Sequence, residues 1–264
     1  MQSLDDAYAN GPYIPDAAGF EERWAARAQA FRKTWQQMGL AELDISYGPS
    51  ARQVYDFFSP IGPSRNVMIF VHGGYWMKFD KSIWSHLAKG ALDKGWHVAL
   101  PSYDLCPSVK IGDITRQITQ AVIEVGLRTT GKIALTGHSA GGHLVARVVV
   151  GKLLPSKIYR RINRIIPISP IGDLRPLRHT QMNKAFRLSE ADAIAESPML
   201  MEKPACPITI WVGADERPAF VNQARWLANA WRAEVVTEVS RNHFDVIESL
   251  ENSKSKLIEE LLSF

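Results

Sequence analysis

The sequence contains one serine in a setting that can make it a nucleophile. Ser139 stands at the centre of Gly137-His138-Ser139-Ala140-Gly141, the pattern G-x-S-x-G, between an apolar run that predicts a strand and a segment with helical spacing. In such a sharp turn, small residues on both sides leave room for a strained serine. The turn would also place Ser139 at the positive end of the following helix. Because glycine-rich turns match this pattern by chance, it needs support from other parts of the chain.

A serine hydroxyl becomes a nucleophile only beside a base, and the base needs an acid to orient it. Asp215 follows a predicted strand at 207–212, and His243 follows the last predicted strand at 234–239. We therefore predict that Ser139 is the nucleophile, His243 the base and Asp215 the orienting acid.

Other residues compete for the last two roles. Of the seven histidines, His243 alone follows both Asp215 and the final predicted strand. Asp173 and Asp245 are the alternatives to Asp215. Asp173 follows the strand before the expected one, and Asp245 is placed to cap the final helix.

A second motif, His72-Gly73-Gly74, follows a buried strand at 66–71. Attack on a carbonyl creates an oxyanion that needs two or three donors already aimed at it. Glycine lets the backbone approach the substrate closely. We therefore predict that the N–H groups of Gly73, Gly74 and Ala140 form the oxyanion hole.

The hydrophobic pattern predicts an α/β fold that brings these loops together. Strands are predicted at 41–47, 53–58, 66–71, 96–100, 133–135, 163–168, 207–212 and 234–239, and helices at 20–38, 82–94, 113–127, 221–231 and 245–264. This alternation after an initial hairpin predicts a mostly parallel eight-stranded sheet with helices on both faces. In such a sheet the reactive loops gather at the carboxyl ends of the strands.

Two segments lie outside this alternation, and we assign both to a single domain at 1–264. Residues 1–40 predict an extended arm at 11–15 followed by a helix with an aromatic stripe. Residues 169–204 mix proline, arginine and short helical pieces, and their length predicts a small cap inserted over the site.

The composition is that of an ordinary globular protein. The 264 residues are 46% hydrophobic and 22% charged, with a net charge of +4. Basic residues accompany no nucleic-acid motif, two cysteines lack metal-type spacing, and no apolar run is long enough for a membrane span. We expect a cytoplasmic protein without nucleic-acid or membrane partners, and the sequence leaves a homodimer open.

With these residues in place, the chain resembles an α/β-hydrolase of the hormone-sensitive-lipase-like group, and most closely the kynurenine formamidase (arylformamidase) branch. The resemblance rests on His72-Gly73-Gly74-Tyr75-Trp76, Gly137-His138-Ser139-Ala140-Gly141-Gly142-His143, Leu4-Asp5-Asp6-Ala7-Tyr8-Ala9-Asn10 and Tyr103-Asp104-Leu105-Cys106-Pro107. It implies an α/β-hydrolase fold and a serine hydrolase that needs no metal or organic cofactor. The implied reaction is hydrolysis of N-formyl-kynurenine or a similar aryl formamide.

The same resemblance draws attention to three aromatic residues. Tyr75 stands where many esterases of the group have a third glycine, so it would narrow the mouth of the site. Tyr75, Trp76 and Tyr103 are candidates for an aromatic substrate pocket, and each is equally suited to plain packing. Two other functions stay open: a general short-chain carboxylesterase, and a non-catalytic binding protein on a hydrolase fold.

Overall fold

The computed structural model describes residues 3–263, which form one eight-stranded sheet in the order β1-β2-β4-β3-β5-β6-β7-β8. The strands are β1 Ala41–Ser46, β2 Val54–Phe58, β3 Val67–Val71, β4 His97–Pro101, β5 Ile133–His138, β6 Ile162–Ile168, β7 Thr209–Gly213 and β8 Glu234–Glu238. The pairs β1–β2 and β2–β4 are antiparallel, and all the others are parallel. The predicted mostly parallel sheet with an initial hairpin is confirmed. The continuous apolar runs mark β3 and β5, which are buried along their whole length.

The helices cover this sheet. The α-helices are α1 Leu4–Ala7, α2 Ala17–Gln37, α3 Lys89–Asp93, α4 Ile111–Arg128, α5 Ala140–Val148, α6 Ser156–Tyr159, α7 Asn183–Phe186, α8 Glu190–Ala195, α9 Pro218–Trp231 and α10 Lys256–Leu261. Five 3-10 helices lie at Gly11–Tyr13, Lys81–Ala88, Arg175–His179, Pro198–Leu200 and Val246–Glu251. No α-helix within residues 3–263 is long and apolar enough to cross a membrane.

Two predicted helices are each divided in the structure. The helix predicted at 82–94 begins as a 3-10 helix and continues as α3, and the one at 245–264 becomes a 3-10 helix and α10. The second break has a local cause, because the Ser255 side chain accepts a hydrogen bond from the Ile258 N–H and starts a new helix. The prediction of an extended arm at 11–15 is also wrong, since this segment contains the 3-10 helix at Gly11–Tyr13. Met1, Gln2 and Phe264, which the predicted domain includes, lie outside the described residues.

Two separate apolar clusters show that the sheet is covered on both faces. One cluster contains residues of α4, α5 and α9, and the other contains residues of α2, α3 and α10. The insertion at 169–204 contains short helices, as predicted, and its Leu177, Phe186 and Ala193 join the first cluster. The inserted segment is therefore packed into the body of the molecule.

A buried ion-pair network attaches α2 to the sheet. Asp56 of β2 is fully buried and pairs with both Arg32 of α2 and the Lys81 ammonium, the latter at 2.8 Å. Lys81 also contacts Asp44 of β1 at 2.6 Å. Because a buried carboxylate is costly without partners, these contacts fix where α2 lies.

Replacing Asp56 by asparagine should therefore lower the free energy of unfolding by about 3–5 kcal/mol, because two cations lose their buried counter-charge. Urea unfolding followed by circular dichroism measures this change. The control is Lys89→Gln, which removes the exposed Lys89–Asp93 pair and should cost less than about 1 kcal/mol. Equal effects of the two substitutions would contradict a structural role for Asp56.

Candidate active site

The backbone turns sharply at Ser139, between β5 and α5. Ser139 has φ 56° and ψ −114°, a conformation that L-residues rarely adopt. A Cβ on Gly137 would lie 2.4 Å from the Gly141 carbonyl oxygen, and one on Gly141 would lie 2.0 Å from that of Val71. The two glycines of the motif therefore allow the close packing that holds the strained turn.

His243 follows β8 and is bound to a carboxylate. Its Nδ1 lies 2.6 Å from Glu216 Oε2, and the side-chain carboxylate of Glu216 is fully buried. The other carboxylate oxygen accepts hydrogen bonds from the Ser169 hydroxyl and, at 2.8 Å, from the Gly213 N–H. Glu216 is thus held on both oxygens and fixes the orientation of the imidazole.

The prediction that Asp215 orients the histidine is wrong. Asp215 is exposed, and its carboxylate has no hydrogen-bond or ion-pair partner in the described part of the chain. The acid comes one residue later, because the turn after β7 directs Glu216 inward towards Ser169 and Asp215 outward. The alternatives Asp173 and Asp245 pair with Arg175 and Asn242 instead. A glutamate can fill this role in a Ser…Asp/Glu…His order, and that is the signal that the sequence interpretation missed.

The glycine loop after β3 lies directly against Ser139. A Cβ on Gly73 would be 3.2 Å from Ser139 Cβ, so a side chain there would occupy the space beside the serine. Gly74 has φ +107°, and a Cβ there would meet the Lys78 carbonyl oxygen at 2.5 Å. Ala140 begins α5, so its N–H has no acceptor within the helix. The structure thus brings Gly73 and Gly74 to the same side of the site as Ser139 and Ala140.

Two of the three aromatic residues predicted to line a substrate pocket hold this loop from behind. Tyr103 is fully buried, stacks on His72 with ring centroids 4.3 Å apart, and donates a hydrogen bond to the His72 carbonyl oxygen at 2.9 Å. Trp76 is buried against His143 and Phe186. Neither Tyr103 nor Trp76 lines the cavity above Ser139, so their assignment to a pocket is corrected to packing.

Tyr75 does line the cavity and is tied to the N-terminal segment. Its hydroxyl donates to the Tyr8 carbonyl oxygen at 2.8 Å and accepts from Asn10 Nδ2 at 2.9 Å. Burial raises the pKa of the Tyr75 phenol to about 12, so it stays protonated. This contact joins the glycine loop to the N-terminal segment.

The cavity above Ser139 has a volume of about 290 Å³ and a largely aromatic wall. The residues that the sequence interpretation missed here are Trp24 of α2, Phe79, Trp84 and Phe244. Trp24 is the centre of this group, with its ring 4.7 Å from Trp84 and 5.4 Å from Phe244. No residue of the insertion at 169–204 lines the cavity. The N-terminal segment lies there instead, in the place predicted for the cap, and contributes Gly11, Ala17, Ala18, Glu21 and Trp24.

Ser139, His243 and Glu216 can together support nucleophilic catalysis. A carboxylate on Nδ1 selects the tautomer whose Nε2 can accept a proton, and Ser139 lines the same cavity as His243. Within residues 3–263 there is no group of three or more His, Cys, Asp or Glu side chains that could hold a metal ion. These are the groups that acyl transfer through a serine requires.

Known proteins share this fold and parts of this sequence. The sequence model of the BD-FAE family matches residues 56–225, well over half of the chain. A candidate thioesterase from Silicibacter sp. tm1040, known from its crystal structure, is 50% identical, with a TM-score of 0.97 and coverage of 100% of both chains.

Two further proteins are less similar in sequence. The kynurenine formamidase of Danio rerio is 28% identical over 235 residues, which cover 83% of this chain and 80% of that protein. The Pyrobaculum calidifontis esterase is 16% identical, with a TM-score of 0.66 and coverage of 90% of this chain and 91% of that chain. The esterase shares the fold, and that fold is the mostly parallel eight-stranded sheet described above.

Neutralising each of the two neighbouring carboxylates in turn tests which of them orients His243. Glu216→Gln should lower kcat for p-nitrophenyl acetate by about 10³–10⁴-fold, because the amide no longer selects the required imidazole tautomer. Asp215→Asn is the matched control, and its kcat should stay within about twofold of the original protein, as expected for an exposed side chain. Loss of activity in Asp215→Asn alone would restore the original assignment.

Buried histidines predict how stability depends on pH. Burial lowers the pKa of His72 to about 4 and that of His86 and His143 to about 3. The unfolded chain takes up these protons below about pH 6.5, whereas the folded protein does not. Each histidine should therefore lower the free energy of unfolding by up to about 1.4 kcal/mol per pH unit as the pH falls from 6.5 towards 4.

Urea unfolding at several pH values between 7.5 and 5 measures this slope. His86→Gln should reduce the slope by up to about one proton at the acidic end of this range, because it removes a group that takes up a proton there only in the unfolded chain. Comparing the two slopes cancels the titration of carboxyls such as Glu196, whose pKa burial raises. Identical slopes would show that His86 titrates equally in both states.

Proposed function

The chain belongs to the BD-FAE family and is an α/β-hydrolase near the arylformamidase branch, and from that premise we propose that it is a serine hydrolase acting on aryl formamides. The observation that carries the proposal is the bond between His243 Nδ1 and the buried Glu216 carboxylate, beside a cavity that Ser139 lines. A structural serine turn has no need of an oriented imidazole in its cavity.

In the proposed mechanism His243 removes the proton from Ser139, whose oxygen attacks the formyl carbonyl carbon. Glu216 holds the imidazole and stabilises the imidazolium that forms. The N–H groups of Gly73, Gly74 and Ala140 bind the developing oxyanion. His243 then protonates the departing arylamine, and water attacks the formyl-serine to release formate and restore the serine.

The wall of the cavity favours an aromatic substrate with a small acyl group. Trp24, Phe79, Trp84 and Phe244 offer ring faces and edges to an arylamine. Tyr75 follows Gly74 in the glycine loop, and its side chain lines the cavity and leaves less room in it than a glycine would. A formyl group, the smallest acyl group, suits that narrow space, and N-formyl-kynurenine carries such a group on an aromatic amine.

A second candidate is hydrolysis of short-chain esters or thioesters. The observation that favours it is the 50% identity to the candidate thioesterase, over the full length of both chains. The same serine chemistry would apply, with an alcohol or thiol as the leaving group.

Side-by-side rates on N-formyl-kynurenine, p-nitrophenyl acetate and acetylthiocholine separate the two candidates. We expect kcat/KM for the formamide to exceed about 10⁴ M⁻¹s⁻¹, within the range of working enzymes, and to exceed the other two values. Ser139→Ala should abolish all three activities if the serine is the nucleophile, because no other group replaces its oxygen. Turnover of the ester or thioester without the formamide would support the second candidate instead.

A further inference from the structure

Two side chains of opposite charge lie at the mouth of the cavity. Among the described residues, Glu21 of α2 and Lys78 of the loop after β3 are the only Asp, Glu, Lys or Arg side chains that line it. Both are exposed, and neither has an ion-pair or hydrogen-bond partner for its charged group within residues 3–263. Two opposite charges are thus free to meet a ligand that enters the cavity.

Several neighbouring charges on the same elements are already paired. On α2, Arg23 pairs with Asp16 and Arg27 with Glu251, and just beyond the loop Lys81 pairs with Asp44 and Asp56. Glu22 and Lys33 of α2 are also unpaired within residues 3–263, but neither lines the cavity, so Glu21 and Lys78 are the charges that a ligand in the cavity can meet.

Both charges are carried by backbone that is held in place. The Lys78 N–H donates to the Gly74 carbonyl oxygen at 2.9 Å, so Lys78 follows the position of the glycine loop. Glu21 lies one helical turn before Trp24, whose ring is buried in the aromatic wall. The backbone that carries each charge is therefore fixed, and the two charges come from two different elements that line one cavity.

We propose that Glu21 and Lys78 bind the ammonium and the carboxylate of a zwitterionic substrate, an amino acid whose side chain carries the aryl group. This inference rests on the proposed function, because it places the scissile formamide at Ser139 and the aromatic ring against the wall that contains Trp24 and Phe79. The amino-acid end then reaches the mouth, where Glu21 and Lys78 match its two charges. Neutral esters would leave both charges unused.

Binding of two product-like ligands tests the proposal without requiring turnover. L-kynurenine carries the zwitterion, and 2-aminoacetophenone is the same aryl ketone without it. By isothermal titration calorimetry we expect L-kynurenine to bind the original protein about tenfold more tightly, as two partly exposed charge contacts allow. Glu21→Gln and Lys78→Gln should each reduce that ratio by about threefold or more and leave binding of 2-aminoacetophenone unchanged.

The matched controls are Glu22→Gln on α2 and Lys94→Gln after α3, exposed charges that do not line the cavity and should leave the ratio unchanged. Equal affinities for the two ligands in the original protein, no measurable binding of either, or an unchanged ratio in both Glu21→Gln and Lys78→Gln would overturn the inference. Selective binding of L-kynurenine that depends on both charges, without hydrolysis of N-formyl-kynurenine, would support it and reject only the proposed formamidase activity.

Discussion

The site depends on how closely α5 packs against the end of β3. Gly141 lies so near the Val71 carbonyl oxygen that any Cβ would collide with it, and Gly137 is equally close to Gly141. This packing keeps Ser139 in its strained conformation, with φ 56° and ψ −114°, because relaxing the turn would move α5 away from the sheet. The glycine loop begins where β3 ends. One close approach of backbone to backbone therefore fixes both the serine and the loop that faces it.

The sequence predicts best the features that follow from periodicity or from a rigid motif. The parallel sheet, the turn at Ser139 and the position of His243 after the last strand are of this kind. The choice between Asp215 and Glu216 is different, because adjacent carboxylates on a turn carry no periodic signal. Glu216 is the buried carboxylate because it accepts hydrogen bonds from two groups. One is the Ser169 hydroxyl, which is distant in sequence, and the other is the Gly213 N–H, which belongs to the turn itself.

The aromatic residues show a second limit of sequence interpretation. Trp76 follows the His72-Gly73-Gly74 motif in sequence, and Tyr103 belongs to a segment that carries the family resemblance. Both nevertheless support the glycine loop from the core side. Tyr75 and Trp76 have φ values of 53° and 55°, and two left-handed residues in succession reverse the direction of the chain. A side chain next to the site in sequence is thereby turned away from it. Trp24, more than a hundred residues earlier than Ser139, takes its place in the wall.

The contact between Trp24 and Phe244, with ring centroids 5.4 Å apart, joins parts of the chain separated by 220 residues. The Arg27–Glu251 ion pair spans a similar separation. Contacts between such distant residues form late, after the loops between them have closed. During synthesis Trp24 stays without its contact to Phe244 until the last strand of the sheet has been made. The cavity is therefore complete only once α2 has docked on the assembled sheet, and recovery of activity on refolding requires both events.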